Sequence, residues 1–158
     1  MSPQTRLLVR LSEVALVLDT GPLLAALDEA DRDHAPCAEL LTGASEDLVV
    51  PMLVLAELDY WCHQRLGADA WLTFMEDVLA GVYVVQSPTP ADLRRCAHIQ
   101  RQYIDLDVGV VDASVLALVE RLTEPKLATL DHRHFRTFRP THVDALRLLP
   151  ADRVQGDL

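Results

Sequence analysis

The sequence predicts one α/β domain with a central parallel sheet of about five strands, covered by helices on both faces. Three observations carry that expectation. Short apolar runs rich in Val and Leu, at 14–18, 48–50, 82–85, 126–129 and 146–149, alternate with longer segments of helical spacing. Strands that alternate with helices pair in parallel, because each crossover helix packs back onto the sheet it left. The length of 158 residues suits a single hydrophobic core, and no repeat, low-complexity tract or linker divides it.

The elements follow in order. Val14–Leu18 is a buried strand closed by Asp19-Thr20-Gly21, and Pro22 suits the first turn of a helix running to Leu27. A polar stretch from Asp31 passes into a helix that ends at Gly43. Leu48–Val50 is a strand stopped by Pro51; Met52–Leu66 is a helix with Gly67 just past its end. Ala68–Ala80 is another helix, whose Trp71, Leu72, Met75, Val78 and Leu79 read as core. Val82–Val85 is the third strand, and Pro88 and Pro90 break the chain after it. The helix Ala91–Tyr103 carries Leu93, Cys96, Ala97 and Gln100 along one side. After the loop Asp105–Gly109 comes a strongly apolar helix, Val110–Leu122. Lys126–Thr129 is the fourth strand, followed by the turn Leu130-Asp131-His132, and Leu146–Leu149 is the last.

Charge restricts the function classes. The net charge is −10, and its whole deficit lies in residues 1–80, with 4 basic and 14 acidic residues against 10 of each in 81–158. A strongly acidic chain is a poor general nucleic-acid binder, since phosphate affinity comes from Lys and Arg. The second half nevertheless gathers Lys126, Arg133, Arg136, Arg139 and Arg147 with His132, His134 and His142, either a solvated surface or a phosphate-contacting one. No apolar run approaches the roughly 20 residues of a membrane span, and Leu7–Val9 between two arginines is too little for a signal-peptide core. Cys37, Cys62 and Cys96 are odd in number and lack metal-ligand spacing, so reduced core thiols and a cytoplasmic location are expected.

Four carboxylates occupy positions that a purely structural account handles badly. Asp19 and Asp131 follow strands, so both belong at the carboxyl edge of a parallel sheet, where ligands bind. Asp19 could equally cap the helix after it, and Asp131 could be an ordinary turn residue. Glu57 sits in the first half of a helix that begins at a strand end, a place that also suits a solvated side chain. Asp112 is the sharpest case, as the only ionisable residue between Val108 and Val119. It could cap its helix; buried and uncompensated, it would cost several kcal/mol or take up a proton. In a parallel α/β topology all four converge on one edge, where they repel unless a cation joins them. Oxygen ligands without a His or Cys at suitable spacing favour Mg²⁺ or Mn²⁺, and such ions activate water for phosphoryl displacement.

The motifs Val17-Leu18-Asp19-Thr20-Gly21, Leu55-Ala56-Glu57-Leu58, Val111-Asp112-Ala113-Ser114 and Ala128-Thr129-Leu130-Asp131 with His134-Phe135 resemble the four acidic motifs of PIN-domain proteins. The VapC-type toxins of bacterial toxin–antitoxin pairs are the most similar. The resemblance implies a metal-dependent endoribonuclease with Mg²⁺ or Mn²⁺ on Asp19, Glu57, Asp112 and Asp131, and with Thr20 and Thr129 supporting these acids by hydrogen bonds. Arg133, Arg136, Arg139 and His134 are expected to contact RNA. A cognate VapB-type antitoxin and a homodimer are implied, without membrane association. Residues 1–13 would be an extension, 14–150 the nuclease domain and 151–158 a polar tail. No further acid follows Asp112 within a helical turn, where Val115 and Leu116 stand. The competing class is a catalytically silent PIN-like module that binds RNA or protein. A phosphatase of the haloacid-dehalogenase type would need an acid two residues after Asp19, where Gly21 stands.

Overall fold

β1 (Ala15–Val17) is buried along its whole length because it is covered on both edges. In the computed structural model, which describes residues 14–153, it pairs in parallel with β2 (Asp47–Pro51), and β2 pairs in parallel with β3 (Val84–Gln86). On the other side a parallel bridge from Leu18 to Ala128 attaches β4 (Lys126–Ala128), which carries β5 (Arg147–Leu149). The spatial order is therefore β3-β2-β1-β4-β5, a three-stranded and a two-stranded ladder joined at one bridge rather than a single unbroken ladder. Leu18 N–H donates to the Val49 carbonyl and Asp19 N–H to the Ala128 carbonyl, each at 2.9 Å. The chain leaves β1 on one side and returns to it on the other. The crevice between the carboxyl ends of β1 and β4 is thus the point where strand order reverses, the usual ligand site of such sheets.

The helices are α1 (Thr20–Leu27), α2 (His34–Thr42), α3 (Met52–Arg65), α4 (Ala68–Leu79), α5 (Pro90–Gln102), α6 (Val110–Leu122) and the single turn α7 (His132–Phe135), with a 3₁₀ turn at Ile104–Leu106. The apolar character of α6 follows from enclosure: every residue from Ala113 to Val119 is buried. Two ion pairs clamp α5 to it. Arg95 grips Glu120 through two bonds of 2.8 Å, and Arg121 Nε meets Asp92 Oδ2 at 2.9 Å. Asp92 also closes a capping box with Thr89, accepting from Thr89 N–H at 2.8 Å while Thr89 Oγ1 accepts from Asp92 N–H at 3.1 Å.

Three expectations need correction. On α4 Phe74 is buried between Trp71 and Tyr83 at 5.8 and 5.1 Å, and Trp71, Met75 and Val78 pack partly buried against the core as expected, whereas Leu72 and Leu79 are 55% and 82% exposed. On α5 the buried face runs through Asp92, Cys96 and Ile99, with Leu93 half exposed, because the Asp92–Arg121 pair turns that face toward α6. β3 begins two residues later than expected, after a turn at Gly81 whose φ of +84° suits glycine. The three cysteines are free and buried as expected, and burial pushes their thiols up. Residues 1–13 and 154–158 lie outside the described residues, and so do the expected extension and most of the tail. Among the described residues no helix is long and apolar enough to cross a membrane.

Candidate active site

Asp19 is the N-cap of α1 and is buried at the junction of β1 and β4. Its Oδ1 accepts from Thr20 N–H at 2.8 Å and its Oδ2 from Thr129 Oγ1 at 2.7 Å. Thr129 Oγ1 in turn accepts from Asp131 N–H at 3.0 Å, so one hydroxyl ties the two strand-end acids together. Capping and membership of an acidic site are not alternatives for Asp19, which does both. Thr20 supports it through the backbone rather than the side chain; its Oγ1 is buried with no hydrogen-bond partner among the described residues. Gly21 lets this first turn of α1 approach the β4–α7 turn, since a Cβ there would stand 3.2 Å from Leu130 Cβ.

Asp131 caps α7, accepting from His134 N–H at 3.1 Å through Oδ1. Its Oδ2 lies 2.9 Å from His134 Nδ1, and Asp112 Oδ2 lies 3.1 Å from the same nitrogen. Asp112 stands in the first turn of α6, three residues after the N-cap Gly109. His134 Nε2 points at the Leu106 carbonyl, 3.2 Å away, and a carbonyl can only accept, so Nε2 carries a hydrogen. With two carboxylates on Nδ1, the second proton is favoured as well. Burial pulls His134 down, yet Asp131, its hydrogen bond, the Leu106 carbonyl and Asp112 together leave it above the ordinary histidine value.

Glu57 of α3 closes the cleft from the side, lining it with Asp19, Asp112, Asp131, Leu24 and Trp61. Crowding raises the acids. Burial, with Asp112 and Glu57 adding to it, pushes Asp19 up to about 7 against the bonds from Thr129 and Thr20. Burial, then the charges of Asp131 and Glu57, pushes Asp112 up to about 6 against the pull of His134. Ligand atoms of Asp112, Asp131 and His134 all lie within 4.8 Å of one another.

The PIN domain family matches this chain over residues 16–139, from β1 to just past α7. The chain is a member of the PIN-domain family. This PIN domain is 33% identical over 135 residues to Ribonuclease VapC26 of Mycobacterium tuberculosis, a match spanning 85% of this chain and 100% of the relative. Its fold is shared by solved structures, among them the following two. Mycobacterium tuberculosis VapC20, a Sarcin-Ricin loop cleaving toxin, superposes with a TM-score of 0.66 at 18% identity, covering 72% of this chain and 87% of that one. VapBC2 from Rickettsia felis, solved with a DNA fragment from its promoter, gives 0.61 at 14% identity, covering 85% and 98%.

The basic stretch of this PIN domain is contiguous only in sequence. Lys126 and Arg147 begin β4 and β5, at the sheet edge opposite the acids, where Lys126 pairs with Glu46. His142 Nε2 donates to the Glu124 carbonyl at 2.6 Å. Near Asp131, Arg136 is held by Asp152 through bonds of 2.7 and 3.3 Å, and Arg139 folds back onto the carbonyls of Arg136, Thr137 and Phe138 at 3.1–3.3 Å. Arg133 is exposed and makes no side-chain hydrogen bond among the described residues. His134, grouped with these cations in the sequence, instead turns its ring to the acids. The signal for this placing in the sequence is the position of His134 three residues after Asp131, on a one-turn helix.

Proposed function

We propose that this PIN domain is a Mg²⁺- or Mn²⁺-dependent endoribonuclease, the toxin of a toxin–antitoxin pair. The observation that carries the reading is the convergence of Asp19, Glu57, Asp112 and Asp131 on one cleft at the sheet's switch point. The likeness to Ribonuclease VapC26 supports it. Burial and the neighbouring acids that lift Asp19 to about 7 and Asp112 to about 6 favour a catalytic site over a silent binding module.

The residues fit a hard divalent cation. Oxygen donors dominate the set, their mutual repulsion is what a cation relieves, and the buried Thr20 Oγ1 beside them has polar capacity left over. Asp19, Glu57, Asp112 and Asp131 would hold the ion. Bound there, such an ion would supply Lewis acidity toward the phosphate and toward a water nucleophile. The chain does the rest. Thr129 Oγ1 and Thr20 N–H fix the Asp19 carboxylate in one orientation. His134 holds a proton at Nδ1 between Asp112 and Asp131, screening their repulsion, while the Leu106 carbonyl fixes the ring. Arg133, exposed and without a side-chain hydrogen bond among the described residues, would meet the RNA backbone, whereas Arg136 is engaged by Asp152 and Arg139 by backbone carbonyls. A VapB-type antitoxin, a homodimer and a cytoplasmic location complete the reading.

The test is cleavage of RNA by the purified protein with Mg²⁺ or Mn²⁺, with chelator, and by Asp19→Asn. Metal-dependent cleavage lost in Asp19→Asn is expected. Undiminished cleavage in chelator, or none with either ion, overturns the reading.

A further inference from the structure

Trp61 lies one helical turn beyond Glu57 on α3 and lines the same cleft as the four acids, yet it is 41% exposed. A large aromatic left this open forgoes burial that would stabilise the fold. The other tryptophan, Trp71, is packed against Phe74 at 5.8 Å. Tyr60 buttresses Trp61 in an edge-to-face pair, with centroids 5.2 Å apart and planes at 77°. The cleft is therefore two-sided in chemistry. Its acids, with a cation, suit a phosphate, and the wall formed by Trp61, Leu24 and Leu130 suits something flat and apolar. A polynucleotide presents that pair of surfaces at neighbouring positions.

Resting on the nuclease reading above, we infer that Trp61 is a substrate-positioning residue whose indole stacks on a nucleobase next to the phosphate held at the acidic cleft. A stacked base must first leave its own helix, so the substrate class is single-stranded or looped RNA rather than continuous duplex. Stacking on an exposed aromatic tolerates any base, because every base has a π-face. Trp61 therefore sets the strandedness of the substrate more than its sequence.

The experiment uses the two tryptophans. Trp71→Phe leaves Trp61 as the single indole, and an uncleavable 2′-O-methyl RNA oligonucleotide is titrated with Mg²⁺ present. Saturable quenching is expected, and it should disappear when one nucleotide of the oligonucleotide is made abasic. Trp61→Ala should raise KM for a single-stranded RNA about 5- to 100-fold with a much smaller change in kcat, and Trp61→Phe should keep most of the affinity. The fluorescence arm needs no turnover, so the two readings fail separately. Quenching without cleavage of any RNA overturns the nuclease reading alone, and cleavage without quenching overturns this inference alone. An unchanged KM in Trp61→Ala overturns it too, as does equal cleavage of paired and unpaired RNA. If Trp61→Ala keeps its KM but changes the sedimentation of the free protein, the residue belongs to a protein interface instead.

Discussion

Thr129 Oγ1 donates to Asp19 Oδ2 at 2.7 Å while accepting from Asp131 N–H at 3.0 Å, so a single hydroxyl sets the spacing of two acids. Thr129 is completely buried. Thr129→Val keeps the shape but leaves the Asp19 carboxylate short of a donor and the Asp131 amide short of an acceptor. Roughly 1–3 kcal/mol of stability should be lost, with RNA cleavage falling further than stability alone explains. Thr129→Ser should retain most of both. Urea midpoints measured beside cleavage rates decide it, and a Val variant that cleaves at the wild-type rate would remove Thr129 from the site.

The raised acids give stability a definite pH dependence. Asp19 at about 7 and Asp112 at about 6 both sit above the ordinary 3.8, so between pH 4 and 7 the folded protein binds more protons than the unfolded chain. Stability in chelator therefore falls as pH rises through that window, by up to about 1.4 kcal/mol per pH unit for each group. His134 acts in the same direction, since a histidine raised by its partners loses its contribution as it deprotonates. Melting temperature in chelator should drop from pH 5 to pH 8. Millimolar Mg²⁺ should flatten the curve by stabilising the ionised acids. A Tm that climbs over this range in chelator would contradict the site's electrostatics.

For Asp112→Asn the two effects on stability oppose each other. Removing one member of a buried ion pair typically costs about 3–5 kcal/mol, because the other charge is left alone. Here His134 keeps Asp131 as its partner at 2.9 Å, and Asp112 is raised rather than lowered, so repulsion and burial outweigh its attraction to the imidazole. Stability in chelator at pH 7.5 should hold or rise, while cleavage falls by orders of magnitude. Thermal melts and single-turnover cleavage of the same preparation separate the effects. Wild-type cleavage would take Asp112 out of the catalytic set.

Arg133 and Arg136 should behave differently although they are three residues apart. Arg133→Ala removes a free cation, so RNA binding should weaken and its log–log salt slope flatten by about 1. Arg136 is held by both oxygens of Asp152, so Arg136→Ala should chiefly release the Leu148–Arg153 corner, with little change in the slope. Salt-dependent binding isotherms with an uncleavable RNA report both. Equal slopes for Arg133→Ala and wild type would show that Arg133 faces solvent only.

Much of the fold and the gathering of the four acids at one cleft were legible in the sequence, for a local reason. Apolar periodicity, Pro and Gly at element ends, and a lone Asp in an apolar helix all report the burial of a residue and its near neighbours. Hence the alternation of strands and helices, Asp19 and Asp131 at strand ends, and the span of α6 could be read directly. That Leu72, Leu79 and Leu93 face outward could not, because the inward positions of Phe74 and Asp92 are set by what packs against them from elsewhere. The sheet order belongs to the same class. Asp19 and Thr129 are 110 positions apart, and only the placing of β4 beside β1 makes them partners. That placing also splits the basic stretch between opposite sheet edges and turns His134 from an apparent surface cation into the proton-bearing neighbour of Asp112 and Asp131. Local pattern determines what each segment is; contacts between distant segments decide which charges meet, and the chemistry of this cleft lies in those meetings.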